Sequence, residues 1–352
     1  MTMVRGLSPS STLRRAIADR RGAKRRGRFT AAASYRRLVP PRVRPPAAAC
    51  QATAAACQDR RRGATSPPLD LIPGLALVSL SLSAALSGAA PPAKPGYSIQ
   101  AIRYGTIAAF PVPELVIGAP EGETIDIAMV IWLIRGGGRN ILFDSGFHRE
   151  SWLKEFPMAD YLRPDEAVKL AGVRPEDVTD IVVSHAHWDH MGGIDLFPNA
   201  TVWIQKQEFA YYTGDAWQAG GQHGGIDPED VQALVQKNTG GRLRLIDGDA
   251  VEILPGIRVY TGARHTYASQ YLRVDGDPPF VLASDNCYLY RNLTEHKASA
   301  TFSEADRAAN IRNQARMIEL AGSADRVVPG HDARQFEKYP TQGRVAVIKD
   351  PT

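Results

Sequence analysis

With 352 residues, 44% of them hydrophobic, and only three cysteines, the chain has ample material for a packed core, and a fold stapled by disulfides is excluded. Its formal charge of +5 is divided: residues 1–68 carry 16 Lys+Arg less Asp19 and Asp59, net +14, and residues 69–352 carry the other 26 Lys+Arg against 35 Asp+Glu, net −9. An acidic body argues against a phosphate-tracking groove, so nucleic acid is not an expected partner.

Residues 1–68 are rich in Arg, Ala, Pro and Ser, with runs such as RRGAKRRGR and no sustained apolar period. They read as a disordered basic extension outside the mature protein. The stretch LIPGLALVSLSLSAALSGAAPPAKPG at 71–96 follows Arg60, Arg61 and Arg62, contains a short apolar run and ends in small residues around Ala89 and Ala90. That is the order of a secretory signal peptide, so 69–96 are assigned as signal peptide and linker, and the product is expected in the periplasm or outside the cell. The run is short, and diluted by serine, beside the ~20 strongly apolar residues a membrane span needs, so no stable anchor is expected after processing. A signal beginning near residue 69 is far from Met1. Residues 1 to about 60 then read as an upstream extension of the reading frame, with an Arg-rich organellar transit peptide as the alternative.

From Tyr97 the texture changes to short strands, glycine turns and a few helices, and 97–352 is taken as one catalytic domain. IDIAMVIWLIRGGGRNILFDSG (125–146) reads as a hairpin turning at Gly136, Gly137 and Gly138. VTDIVVSH (178–185) reads as a buried strand, and further strands are expected at 200–205, 242–247, 257–262, 270–274, 280–284 and 326–330. Helices are expected at 163–171, 227–237 and 303–322, the last with apolar spacing at Ala308, Ile311, Ala315, Ile318 and Ala321. Such a mixture implies sheets sandwiched between helical layers. Cys287, at the end of an apolar run, reads as a small core residue rather than a nucleophile.

The strand at 178–185 leads into HAHWDH (185–190), which packs three of the chain's eight histidines and one aspartate into six positions. In an extended segment residues two apart share a face, so His185 and His187 reach one point, with Asp189 and His190 on the turn that follows. Gly192 and Gly193 let a loop pack closely beneath. An isolated histidine pair is more often structural, but four such groups together carry a heavy desolvation cost without an ion between them. Six residues cannot fill two coordination spheres. His265, Asp285 and His331 each lie just past a β-branched apolar run, where strand ends point side chains to a common rim. His148, His223 and His296 fall outside this pattern and read as exposed or hydrogen-bonded residues.

HAHWDH followed by His265, Asp285 and His331 in that order resembles the metallo-β-lactamase superfamily over about residues 97–352. The resemblance implies an α+β fold, a four-layer αββα sandwich with the site at one edge. It also implies two Zn2+ per chain: His185, His187 and His265 on one, Asp189, His190 and His331 on the other, and Asp285 bridging both. Two such ions activate a shared hydroxide, because coordination lowers the pKa of water from 15.7 to about 7. The expected enzyme is a zinc-dependent hydrolase with no serine or cysteine nucleophile. Zinc β-lactamases of this family usually lack the bridging aspartate, which disfavours that activity here.

Tyr288, three residues past Asp285 in SDNCY, and the stretch HTYASQ (265–270) resemble N-acyl homoserine lactonases. In those enzymes a tyrosine so placed hydrogen-bonds the lactone carbonyl or the leaving oxygen, so Tyr288 and Asp189 are the expected catalytic residues. Its alternative is simple core packing with Tyr290. EFAYYTGDAWQAGGQHGG (208–225) combines Phe209, Tyr211, Tyr212 and Trp217 with five glycines. It reads as a lid or acyl-chain wall, with Phe209, Tyr212 and Trp217 as expected substrate contacts, or else as a homodimer contact. The leading expectation is opening of a small-molecule lactone or ester by a metal-bridging hydroxide. The rivals are an organophosphate or aryl ester hydrolase, a β-lactamase, or a non-catalytic zinc-binding or nucleic-acid-processing relative with the basic tail as an arm.

Overall fold

A computed structural model describes residues 96–351. The basic extension at 1–68 and the signal-like segment at 69–90 lie outside the described residues.

The hairpin forms as its sequence dictates. Strand β2 (Thr124–Gly136) pairs antiparallel with β3 (Arg139–Phe143), and Gly136 faces Arg139 across the turn. Only Gly137 and Gly138 remain in the loop, with φ of 58° and 73°. A two-residue turn with both φ positive matches the twist of the strands, and glycine reaches it without steric cost. Along β2, Ile127, Met129, Ile131 and Leu133 face one apolar cluster, and Ala128, Val130, Trp132 and Ile134 face another. A strand apolar at every position is a central strand covered on both faces.

The remaining strands are β1 (Ser98–Pro111), β4 (Asp180–Val182), β5 (Thr201–Gln205), β6 (Leu243–Ile246), β7 (Val251–Leu254), β8 (Ile257–Thr261), β9 (Gln270–Val274), β10 (Phe280–Ser284), β11 (Val327–Pro329), β12 (Thr341–Gln342) and β13 (Val345–Lys349). They form an eight-stranded sheet, β12-β13-β1-β2-β3-β4-β5-β6, and a five-stranded sheet, β11-β10-β9-β8-β7. Trp132, Ile134, Leu272, Leu282 and Val328 belong to the cluster shared by the two sheets. The outer face of the larger sheet packs with Ala167, Val168, Val231 and Leu234, from the helices Pro164–Lys169 and Pro228–Thr239. The outer face of the smaller sheet packs with Leu293, Met317 and Ala321, from the helices Tyr290–Glu295 and Glu304–Ala321. The result is helix, sheet, sheet, helix: the expected αββα sandwich.

Two expectations need correction. The 14-residue strand β1 went unread because three register shifts flank or interrupt its pairing, and they break the two-residue alternation on which recognition depends. In Glu304–Ala321 the inward face is Asn310, Gln314, Met317 and Ala321, whereas Ala308 and Ala315 are exposed. The amide nitrogens of the polar pair find carbonyls: Asn310 Nδ2 donates to Asn286 O at 2.8 Å and Gln314 Nε2 to Lys297 O at 3.1 Å. The helix thereby holds the loop that carries Asp285.

Strand direction gathers the site. β3, β4 and β5 are parallel neighbours, so Asp144, just past β3, and HAHWDH, after β4, emerge at one edge. β10 and β11 are also parallel, with Ser284 level with Pro329, so Asp285 and His331 follow neighbouring strand ends. Carboxyl ends of parallel strands are where such sheets place their ligands.

Candidate metal centre

HAHWDH does not end in an open turn. His187 caps a short helix, Trp188–Met191, which rotates Asp189 and His190 toward the ends of β10 and β11. Close packing beneath demands glycine. A Cβ on Gly193 would lie 2.2 Å from Ser145 O, and one on Gly192 the same 2.2 Å from Trp188 O.

The seven sequence-predicted residues converge in two groups: His185, His187, His265 and Asp285 in one, Asp189, His190 and His331 in the other, with ligand atoms within 4.8 Å of one another in each. In the first, His187 Nδ1 lies 3.0 Å from both His185 Nε2 and His265 Nε2. Asp285 Oδ2 lies 3.2 Å from His265 Nε2 and 3.8 Å from His185 Nε2. Its other oxygen, Oδ1, lies 3.0 Å from His331 Nε2 and 3.3 Å from His190 Nε2, so one carboxylate faces both groups. Asp189 Oδ2 completes the second group, 3.3 Å from His190 Nε2 and 3.7 Å from His331 Nε2.

These residues fit metal ions. Donor atoms about 2.0–2.1 Å from a tetrahedral ion stand roughly 3.3 Å apart, the spacing seen here. The buried atoms His190 Nε2 and Asp285 Oδ1 have no hydrogen-bond partner among the described residues, and a native fold rarely leaves such groups unmet. Outer contacts fix the ring orientations: His185 Nδ1 meets Ser184 Oγ at 2.8 Å, His190 Nδ1 meets Asp144 Oδ2 at 2.9 Å, and His331 Nδ1 donates to Ala128 O at 3.0 Å.

Burial first, then the neighbouring rings, push His185 well below the usual histidine range; burial and His265 likewise bring His187 down to about 3. Both rings are therefore neutral, the form that ligates. Burial also works against charge on His190 and His331, yet Asp189 and Asp285 hold both above the ordinary value. The second group is a place where positive charge is favoured.

Asp144 is the residue that sequence reasoning missed here. It is fully buried, and its carboxylate accepts from Ser184 N at 2.7 Å and Ser184 Oγ at 2.9 Å, from Ser284 Oγ at 2.9 Å and from His190 Nδ1. Asp144 and Ser284 both adopt left-handed backbone, φ 63° and 46°. Strain of this kind persists where surrounding contacts over-determine it. The only sequence signal was a lone aspartate closing the hairpin strand.

The sequence profile of the Metallo-beta-lactamase superfamily matches residues 129–277. The N-acyl homoserine lactonase AttM of Rhizobium johnstonii is 30% identical over 234 residues, 65% of this chain and 84% of that protein. The chain belongs to the metallo-β-lactamase superfamily. Two solved structures have the same fold. A Bacillus thuringiensis AiiA variant with N-decanoyl-L-homoserine at its active site aligns with a TM-score of 0.57 at 19% identity, covering 70% of this chain and 97% of that one. AidC, a dizinc quorum-quenching lactonase in complex with a hexanoyl-homoserine product, aligns at 0.51 and 16%, covering 73% and 95%.

An open cavity adjoins the cluster. Its floor is His187, Asp189, His265, Asp285, His331 and Tyr288, and its apolar wall is Ile107, Phe110, Leu115, Ile127, Met129, Phe156 and Trp188. The expected substrate contacts Phe209, Tyr212 and Trp217 are not in that wall. They pack onto the core outside the larger sheet, because the short helix Lys206–Tyr212 turns its apolar side inward, and Trp217 Nε1 donates to Tyr212 O at 2.6 Å. From the 208–225 stretch only Gly225 reaches the cavity. The wall belongs instead mainly to β1 and β2, with Leu115, Phe156 and Trp188. Tyr288 stands beside the cluster, Oη 3.5 Å from His265 Nε2 and its ring stacked on His331. His148 pairs with Asp195, His223 stacks on Trp217, and His296 is an exposed helix cap, all away from the cluster.

Proposed function

We propose that the chain is a dizinc hydrolase that opens lactone rings of the N-acyl homoserine type. The observation that carries this reading is the cavity, an apolar wall running onto a floor of five metal-ligating candidates and one tyrosine, with no Lys or Arg in its lining among the described residues. An uncharged ester with an aliphatic tail suits such a site, and an anionic β-lactam or glutathione thioester does not.

His185, His187 and His265 would hold one zinc, Asp189, His190 and His331 the other, and Asp285 both; imidazole and carboxylate donors suit that metal. When bound, the ions supply Lewis acidity and water made acidic enough to attack an ester near neutral pH. The chain's own groups do the rest. Tyr288 Oη, facing the floor, donates to the carbonyl oxygen as negative charge develops there. Asp189, whose carboxylate His190 and His331 hold ionised against burial, moves the proton toward the departing ring oxygen. Ile107, Phe110, Ile127 and Met129 seat the acyl tail and keep water from it. Export through the segment at 69–90 is part of the proposal and rests on the sequence alone; N-terminal sequencing of protein recovered outside the cytoplasm tests it.

The deciding assay is proton release by the zinc-loaded chain with short- and long-chain acyl homoserine lactones, nitrocefin and paraoxon, with metal content measured on the same sample. Turnover confined to lactones at two zinc per chain is expected. Turnover of nitrocefin or paraoxon alone would overturn the substrate class.

A further inference from the structure

The 208–225 stretch contributes no aromatic wall, yet its first residue is a buried carboxylate near the cluster that neither group of ligands nor Asp144 accounts for. Glu208 is fully buried, on the short helix Lys206–Tyr212. Its two oxygens grip two different chain segments. Oε1 accepts from Ala186 N at 2.9 Å, and Oε2 accepts from Ala268 N at 2.6 Å. Ala186 is the residue between His185 and His187, and Ala268 is three residues past His265. Among the described residues, no other carboxylate accepts from both of these segments.

Burying a carboxylate is expensive, and a fold keeps one only where its geometry matters. That geometry matters most for His265. His185, His190 and His331 each have an outer partner on Nδ1, but the buried Nδ1 of His265 has no hydrogen-bond partner among the described residues. Tyr288 and Phe302 pack against its ring, but no outer hydrogen bond fixes it, and its backbone is placed by its loop. Gly262 N donates to Ser269 O at 2.8 Å to close that loop, and Gln270 N donates to Ser184 O at 2.8 Å to tether its far end. Glu208 supplies the tether nearest the histidine.

We propose that Glu208 is a positioning residue for one metal ion of the two: it straps the His265 loop to the His185–His187 segment, so that the first group loses its ion when the strap is cut while the second keeps its own. The group of Asp189, His190 and His331 makes no contact with Glu208 and is oriented by Asp144 and Ala128 instead. The inference rests on the metal assignment above and not on the identity of the substrate.

The test is cobalt(II) binding to the full chain, read by visible absorption and by competition with a chelator. Glu208→Gln keeps the shape of the side chain but leaves one acceptor oxygen for two N–H groups. The expected result is that one ion weakens about 10–100-fold and the other is held as before. The remaining spectrum should match that of His265→Ala and differ from that of His331→Ala. Near-UV circular dichroism and the melting of the metal-free chain should remain cooperative. Two ions held at unchanged affinity, or equal weakening of both, would overturn the proposal. Glu208→Ala should lose the same ion; if it fails to fold, the glutamine variant decides. A chain that turns over no lactone but still sheds one cobalt in Glu208→Gln would keep the strap and remove the substrate reading.

Discussion

Replacing Asp144 by asparagine tests how the second group is assembled. The substitution keeps size and shape, and asparagine tolerates the left-handed backbone at this position, φ 63°, at least as well as aspartate. The side-chain oxygen can still accept from Ser184 N, and one serine hydroxyl can rotate to accept one hydrogen of the new amide, whose second hydrogen then faces His190. His190 cannot adapt so cheaply. Its Nδ1 lies 2.9 Å from Asp144 Oδ2, so with a carboxylate there the proton sits on Nδ1 and the Nε2 lone pair faces Asp189 and Asp285. With an amide N–H2 in that place, Nδ1 must become the acceptor and the proton moves to Nε2, removing the lone pair that a metal needs. A hydrogen bond to a charged group contributes about 1.5–3 kcal/mol. An outer partner is typically responsible for 10–100-fold in metal affinity, about 1.4–2.8 kcal/mol, and the two estimates agree. Asp144→Asn should therefore fold, bind one ion as before and lose one by this factor. Chelator competition measures the affinity, and nitrogen chemical shifts of His190 report which ring nitrogen carries the proton. Two ions held at wild-type affinity, or a His190 proton still on Nδ1, would refute the tautomer argument.

Tyr288→Phe should keep both ions and slow lactone turnover by roughly tenfold or more, since only the phenolic donor is lost; an unchanged rate with full metal would remove the residue from the chemistry. The proton on Asp230 should make stability depend on pH. Burial drives its carboxyl up to about 7; Arg149, 2.7 Å away, opposes this, but that guanidinium is shared with Glu229, Asp195 and Asp227. An unfolded aspartate titrates near 3.9, so the native state holds this proton more tightly. Its contribution is fully present below about pH 4 and is lost as pH rises toward about 7. Denaturant midpoints measured across that range should decline less steeply in Asp230→Asn than in the parent chain, and parallel curves would contradict the assignment.

The candidate metal ligands could be read from the chain because their chemistry is local in type. Four ligating groups in six residues are costly to bury for any other purpose, and His265, Asp285 and His331 sit four, one and two residues beyond apolar runs that the structure shows as strands. The long hairpin was equally legible, since consecutive glycines and uninterrupted β-branched runs have one comfortable conformation. Strand β1 was not, because bulges destroy the period by which a strand is recognised, and the inward face of Glu304–Ala321 was misplaced because it buries Asn310 and Gln314, whose partners are carbonyls distant in sequence.

Residue type and spacing along the chain thus determined which groups could meet and what metal chemistry they suit. Tertiary structure alone decided how they are held and what they face. Asp144 and Glu208 are single acidic letters with no local pattern, and each acquires its role from strand ends brought together from distances of up to 140 residues, as with Ser284 and Asp144. The cavity wall is the same case. Ile107, Phe110, Ile127 and Met129 have the composition of any buried strand, and only the gap left between sheet and cluster turns part of that core into a surface for a substrate.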